Sequence, residues 1–130
     1  MLVLTIRTDK SEAEIGLFDN EQKLAYETWA AHRRLAETIH TKIKQLLKSQ
    51  HKDWQDIGGI ICFKGPGSFT GLRIGLTVGN ALAYGLGVPI VSQQRTNWIT
   101  NGITRITSGE NEAVTLPEYG GDAHITLPKK

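Results

Sequence analysis

The 130-residue sequence has very little cysteine and no long apolar stretch. Because Cys62 is its single cysteine, no disulfide can form within the chain, which fits a reducing cytoplasm and excludes the disulfide-rich secreted class. No run approaches the roughly 20 apolar residues of a membrane-spanning helix, so no membrane association is expected. The first residues also lack the basic lead and cleavage site of a secretory signal.

Several signatures of catalysis are missing as well. The glycine-rich stretch 65–71 is not a Walker A loop, because five residues separate its outer glycines and no lysine follows. There is no His-Glu-x-x-His motif, and the four histidines have no metal-ligand spacing. We therefore expect neither catalytic residues nor metal ligands. Backbone amides at a helix start suit an anion or nucleotide, for which the candidates are Gly65, Gly67, Ser68 and Thr70.

The net charge of +2 conceals a basic segment. Residues 1–30 have three basic and six acidic residues, residues 31–52 have six basic and one acidic, and the remainder has six of each. A basic helix over 33–52 is a candidate RNA-binding surface, whereas a solvated helix face is the interpretation we favour. The cations concerned are Arg33, Arg34, Lys42, Lys44, Lys48 and Lys52.

The spacing of apolar residues predicts an α/β domain. Alternation and short apolar runs predict strands, and a 3.6-residue period predicts helices. The predicted strands are 2–6, 15–17, 24–29, 57–63 and 88–91. The predicted helices are 33–49 and 69–86. The first three strands form an antiparallel meander within a mixed five-stranded sheet, and helices pack on that sheet. The strand at 57–63 is apolar throughout, which indicates burial of both its faces and of Cys62.

Beyond Asn101 the pattern weakens. One or two helical turns are predicted within 93–100 and a short strand over Ile103–Ile106. Residues 117–130 are predicted to be an irregular tail that packs through Tyr119. The chain is thus divided into a domain over 1–101 and a short extension over 102–130.

The helix over 69–86 carries three glycines, Gly71, Gly75 and Gly79, four residues apart. Each glycine costs about 1 kcal/mol relative to alanine inside a helix, so a close approach by another backbone or a ligand is expected. Polar residues form a narrow stripe, and the rest of the helix is apolar or small. The glycine side faces either a helix of another molecule or the helix over 33–49, and the sequence leaves both open. The polar stripe comprises Arg73, Thr77, Asn80 and Tyr84.

The stretch 65–75, Gly-Pro-Gly-Ser-Phe-Thr-Gly-Leu-Arg-Ile-Gly, followed by a small-residue helix and Val-Pro-Ile-Val, resembles the TsaB (YeaZ) family over about residues 1–100. The resemblance implies a half-domain of the actin-like ATPase (ribonuclease H-like) fold. It also implies a cytoplasmic, non-catalytic partner of a TsaD-type enzyme, which forms N6-threonylcarbamoyladenosine at tRNA position 37. A TsaE-type ATPase, a homodimer, and tRNA reached indirectly through the complex are further partners of this interpretation. The alternative is a small nucleotide-binding or RNA-binding protein.

The resemblance maps the partner interface onto the two helices. It implies no cofactor of the chain's own, with ATP and Mg²⁺ bound only in the assembled complex. Arg7-Thr8-Asp9 stands where the family has an acidic residue at the end of its first strand, so metal chemistry at that point is not expected. The family usually has a second domain after this one, and we expect a short form in which that domain is absent. The interface residues so predicted are Leu35, Ile39, Phe69, Leu72, Arg73, Gly75, Leu76, Gly79, Asn80 and Ala83.

Overall fold

The computed structural model describes residues 1–67 and 69–118, without the side chain of Phe69. Ser68 and the predicted contact of Tyr119 therefore lie outside the described residues. The strands are β1 (Leu2–Arg7), β2 (Glu12–Asp19), β3 (Gln22–Ala30), β4 (Ile57–Phe63) and β5 (Ile90–Gln93). The α-helices are α1 (Leu35–Ser49), α2 (Phe69–Leu86) and α3 (Trp98–Thr107), and 3-10 turns precede α1 and β4 at His32–Arg34 and Trp54–Asp56.

The five strands form one mixed sheet in the order β3-β2-β1-β4-β5. Strands β1, β2 and β3 pair antiparallel, whereas β4 pairs parallel with both β1 and β5. Helix α2 connects the parallel neighbours β4 and β5, as a crossover connection requires. The mixed five-stranded sheet with three N-terminal antiparallel strands is thus confirmed.

Two layers of helices cover the sheet. Helices α1 and α2 share one hydrophobic core with one face of the sheet, and α3 shares a second core with the opposite face. Strand β4 contributes alternately to both, since Ile60 and Cys62 lie in the first core and Ile61 and Phe63 in the second. This double burial explains why β4 is apolar without alternation.

The thiol of Cys62 is buried between β4 and α2, and this burial raises its pKa to about 12. Because the thiolate is the reactive form, the folded chain is expected to react negligibly with a thiol reagent such as Ellman's reagent at pH 8. Full reaction of one thiol is expected after denaturation. Rapid labelling of the native chain would contradict the seating of α2 over Cys62.

The region around residue 101 differs from the sequence prediction. Residues 103–106 belong to helix α3 instead of a strand, because Trp98, Ile103 and Ile106 project from one side of that helix into the second core. Trp98 also meets Phe63 edge to face, with ring centroids 5.6 Å apart. The predicted domain boundary at 101 falls inside α3.

Residues 111–118, called here the strap, follow α3 and contain no helix or strand. The strap passes the outer edge of β5, crosses α2 at Asn80 and ends beside Lys64. No helix within the described residues is long and apolar enough to cross a membrane.

Candidate functional site

The glycine turn after β4 is packed against other parts of the same chain. Gly65 has a φ of +104°, and a Cβ there would lie 2.5 Å from the carbonyl oxygen of Glu118. A Cβ on Gly67 would lie 2.8 Å from the carbonyl oxygen of Asp9. Both glycines thus permit close backbone approaches within the chain. Of the other candidates for an anion site, Thr70 is exposed and Ser68 lies outside the described residues, so an anion site formed by these four residues stays a prediction.

The end of β1 carries an ion pair where the resemblance implies an acidic site. The Nε and Nη2 atoms of Arg7 donate to the two carboxylate oxygens of Asp9 at 2.8 and 3.3 Å. The guanidinium carbon lies 4.0 Å from the ring centroid of Phe63. The hydrogen bond with Asp9 raises the pKa of Arg7, so the cation stays charged. Because this cation engages both oxygens of Asp9, the end of β1 does not fit a magnesium ion, which needs free oxygen ligands.

Two glycines of α2, Gly75 and Gly79, face the sheet. A Cβ on Gly75 would collide with the side chain of Thr8, and one on Gly79 with the sulfur of Cys62. The hydroxyl of Thr8 also donates to the carbonyl oxygen of Gly71 at 2.7 Å, which joins the first turn of α2 to β1. At Gly75 and Gly79 the glycine side therefore meets the chain's own Thr8 and β4, and neither a second molecule nor α1.

Most of the predicted interface residues belong to the core. Arg73 is exposed, Asn80 is half-buried, and the side chain of Phe69 lies outside the described residues. The apolar arc of each helix is used to cover the sheet, which leaves little of it for a partner. Among the predicted interface residues whose side chains are described, only Arg73 and Asn80 therefore keep a position at the surface. The seven buried residues are Leu35, Ile39, Leu72, Gly75, Leu76, Gly79 and Ala83.

The solvent-facing side of α2 is a stripe of mostly small or uncharged side chains. Its members recur every three or four residues, and Tyr84 at its end is 91% exposed. The predicted polar stripe included three of its five members and left out Thr70 and Ala81, which could have been found by taking the exposed arc as the complement of the apolar one. The docking stripe, as it is called below, comprises Thr70, Arg73, Thr77, Ala81 and Tyr84, all exposed.

The strap borders this stripe. A groove of about 410 Å³ lies between α2 and the strap. The side-chain amide of Asn80 closes one end of it, since Oδ1 accepts from the backbone N–H and hydroxyl of Thr115 at 2.8 and 2.9 Å, and Nδ2 donates to the Thr115 carbonyl at 3.2 Å. Sequence analysis placed Asn80 in a partner interface and missed this partner within the chain. The groove is lined by Arg73, Leu76, Thr77, Asn80, Val114, Thr115, Leu116 and Pro117.

The cations predicted for a basic helix lie in the 3-10 turn before α1, on α1 itself and in the turn after it. Two of them are paired within the chain: Lys42 with Glu27 at 2.8 Å and Arg34 with Glu37 at 3.0 Å. A cavity of about 490 Å³ between the first turns of α1 and α2 includes Arg33 in its lining. Residues 1–67 and 69–118 contain no group of three His, Cys, Asp or Glu side chains that could hold a metal ion.

Comparisons with known proteins place these features in a family context. The family model of TsaD, tRNA N6-adenosine threonylcarbamoyltransferase, matches residues 29–110. The transferase of that name from Geotalea uraniireducens is 36% identical over 100 residues, which are 75% of this chain and 28% of that protein. The tRNA threonylcarbamoyladenosine biosynthesis protein TsaB of Escherichia coli is 28% identical over 117 residues, which are 82% of this chain and 48% of that protein.

Among solved structures, YeaZ from Pseudomonas aeruginosa superposes with a TM-score of 0.67 at 24% identity, over 72% of this chain and 43% of that one. This likeness confirms the predicted actin-like ATPase (ribonuclease H-like) architecture. The chain spans about half or less of the length of these relatives.

Proposed function

Because this chain belongs to the TsaD/TsaB (YeaZ) family, we propose that it is a non-catalytic partner of a TsaD-type transferase in the formation of N6-threonylcarbamoyladenosine on tRNA. The observation that carries the proposal is the docking stripe of α2. Helices α1 and α2 lie together on one face of the sheet, and the stripe is the side of α2 that the chain's own core leaves exposed.

The side chains of the stripe suit helix packing. Thr77 and Ala81 are small and one turn apart, so another helix can approach α2 closely between them. Arg73 and Tyr84 lie on either side of this pair, and arginine and tyrosine are side-chain types that often dominate binding energy at interfaces. Tyr84, at 91% exposure, offers the ring area that such an anchor needs.

The chemistry at the end of β1 supports an accessory role. Transfer of an activated group with metal assistance needs oxygen ligands near the reacting atoms. Here the Asp9 carboxylate is buried and held by Arg7, so the nearest acidic group on β1 is engaged in an internal ion pair. In this proposal ATP and Mg²⁺ are bound only in the assembled complex, and tRNA is reached through the partner.

The proposal also includes an oligomeric state, a third subunit and a cellular compartment. A stripe that accepts a helix of the transferase also suits α2 of a second copy of this chain. A homodimer about a two-fold axis is therefore the proposed state when the transferase is absent. A TsaE-type ATPase is the proposed third subunit, and the cytoplasm is the proposed compartment.

The test is titration calorimetry against the TsaD-type subunit from the same genome, with and without ATP and Mg²⁺. Ala81→Arg places a long cation in the middle of the stripe, and we expect it to weaken binding more than about tenfold, which corresponds to ~1.4 kcal/mol. Asn101→Arg is the matched control, because Asn101 is exposed on α3 at the opposite face of the sheet.

Circular dichroism should report the same folded helical content for both variants. Equal affinity of the Ala81→Arg variant and the unmodified chain would show that the stripe is not part of the interface. Absence of binding by the unmodified chain in every condition would overturn the partner role itself.

A further inference from the structure

The strap is attached to the domain at two places of unequal strength. The first is the edge of β5. The carboxylate of Glu112 accepts from the backbone N–H and hydroxyl of Ser92 and from Nη1 of Arg105, all at 2.8 Å. The backbone N–H of Glu112 donates to Ile90, and the Asn111 side chain accepts from the Ile90 N–H. This attachment takes the place of a neighbouring strand at the edge of the sheet.

The second attachment is neutral and involves fewer residues. Thr115 is 2% exposed and forms hydrogen bonds with one side chain, that of Asn80. The only other backbone hydrogen bond of the far end within the described residues that reaches outside the strap joins the N–H of Glu118 to the carbonyl of Lys64 at 2.7 Å. Val114 and Leu116 on either side of Thr115 are 62% and 72% exposed. The far half of the strap therefore buries little apolar surface, and segments of this kind open at low free-energy cost.

Ala113 separates the two attachments. Its φ of +67° lies in the left-handed region that a non-glycine residue rarely adopts, and it is exposed. Rotation at this residue breaks the hydrogen bond of 2.7 Å from the Val114 N–H to the Glu112 carbonyl, moves the far half of the strap and leaves the Glu112 side chain in place on β5. Residues 114–118 can then leave α2 as a unit without disturbing the sheet.

The strap in its closed position reduces the part of the docking stripe that a partner helix could contact. Arg73 and Thr77 of the docking stripe also line the groove beside the strap, together with Val114 and Leu116. A helix with its side chains is about 10 Å wide, so one centred on the stripe would meet these two protruding side chains.

We propose that residues 114–118 are an intramolecular cover of the docking stripe, which opens about Ala113 when a TsaD-type subunit binds α2. This inference rests on the docking function proposed above. A chain that binds only when open has its apparent affinity reduced by the fraction of open molecules. Variants that open the cover should bind more tightly, and a variant locked closed should bind more weakly.

Three variants of the full chain test this against the TsaD-type subunit by calorimetry. Thr115→Pro removes the backbone N–H and the hydroxyl that donate to Oδ1 of Asn80. Because the cover is then open in more of the molecules, binding should become about tenfold tighter. Thr115→Val keeps the backbone N–H and should have a smaller effect. Asn80→Cys combined with Thr115→Cys allows the cover to be locked by oxidation, and the oxidised form should bind at least about tenfold more weakly than the reduced form of the same protein.

Hydrogen exchange on the isolated chain checks the opening directly, since the amide of Glu118 should exchange faster in the Thr115→Pro variant. Unchanged exchange would overturn the role of Thr115 in holding the cover. Equal or weaker binding by an opened Thr115→Pro variant would overturn the cover and make the strap part of the docking surface. If the unmodified chain binds but no strap variant differs, the cover alone fails. If no form binds, the docking function fails together with the cover.

Discussion

Gly79→Leu is expected to lower the free energy of unfolding by more than about 4 kcal/mol and to leave much of the chain unfolded. The first added carbon would collide with the sulfur of Cys62 and lie 3.3 Å from Cδ1 of Ile90, and three more carbons would follow into the same core. Overpacking by even a few methylene groups costs about 1–3 kcal/mol in a packed interior. Denaturant unfolding followed by circular dichroism is the measurement.

The matched control for Gly79 lies on the same helix. A Cβ on Gly85 would have no atom within 4 Å, so Gly85→Ala should add the helix propensity of alanine and stabilise the chain by ~0.5–1 kcal/mol. If Gly79→Leu unfolded at the same denaturant concentration as the unmodified chain, α2 could not be seated on β4 as described. Loss of partner binding in a Gly79 variant would report misfolding and could not locate the docking surface.

Glu112→Ala is expected to cost about 2–4 kcal/mol of unfolding free energy. Its carboxylate is the acceptor for two donors of Ser92, a residue that is 3% exposed, and for the guanidinium of Arg105. Removing it leaves the Ser92 N–H and hydroxyl in the sheet without that acceptor, and each unsatisfied buried group costs about 1–3 kcal/mol. Thermal unfolding at neutral pH would measure the loss.

Glu110→Ala provides the comparison for Glu112. Glu110 pairs with the same arginine, through Nε at 2.7 Å, but its side chain is half-exposed. A surface ion pair of this kind is worth ~0–1 kcal/mol, so Glu110→Ala should have a small effect. Equal effects of the two substitutions would mean that the strap is not needed to close the edge of β5. A large difference would indicate that the end of the strap at Glu112 belongs to the same folding unit as the sheet.

Local periodicity predicted the helices and strands correctly where the pattern of apolar residues is long enough to show which faces are buried. The helix over 69–86 has the bounds predicted for it, and the apolar run at 57–63 is a strand buried on both faces. The run at 103–106 failed because four residues cannot distinguish two-residue alternation from one helical turn, whereas Trp98 and Ile106 together reveal the helical period. The sequence motif at 65–75 was specific enough to indicate the family.

The sequence by itself determined that α2 needs a close neighbour, because glycine in a helix interior is costly wherever the helix lies. Only the tertiary structure decided that the neighbour is the chain's own Thr8 and Cys62, since the direction of a small-residue face depends on contacts with distant segments. The same holds for Asn80, whose partner Thr115 lies 35 residues away. Periodicity records which residues share a face, but the energy of packing across the whole chain decides what that face meets.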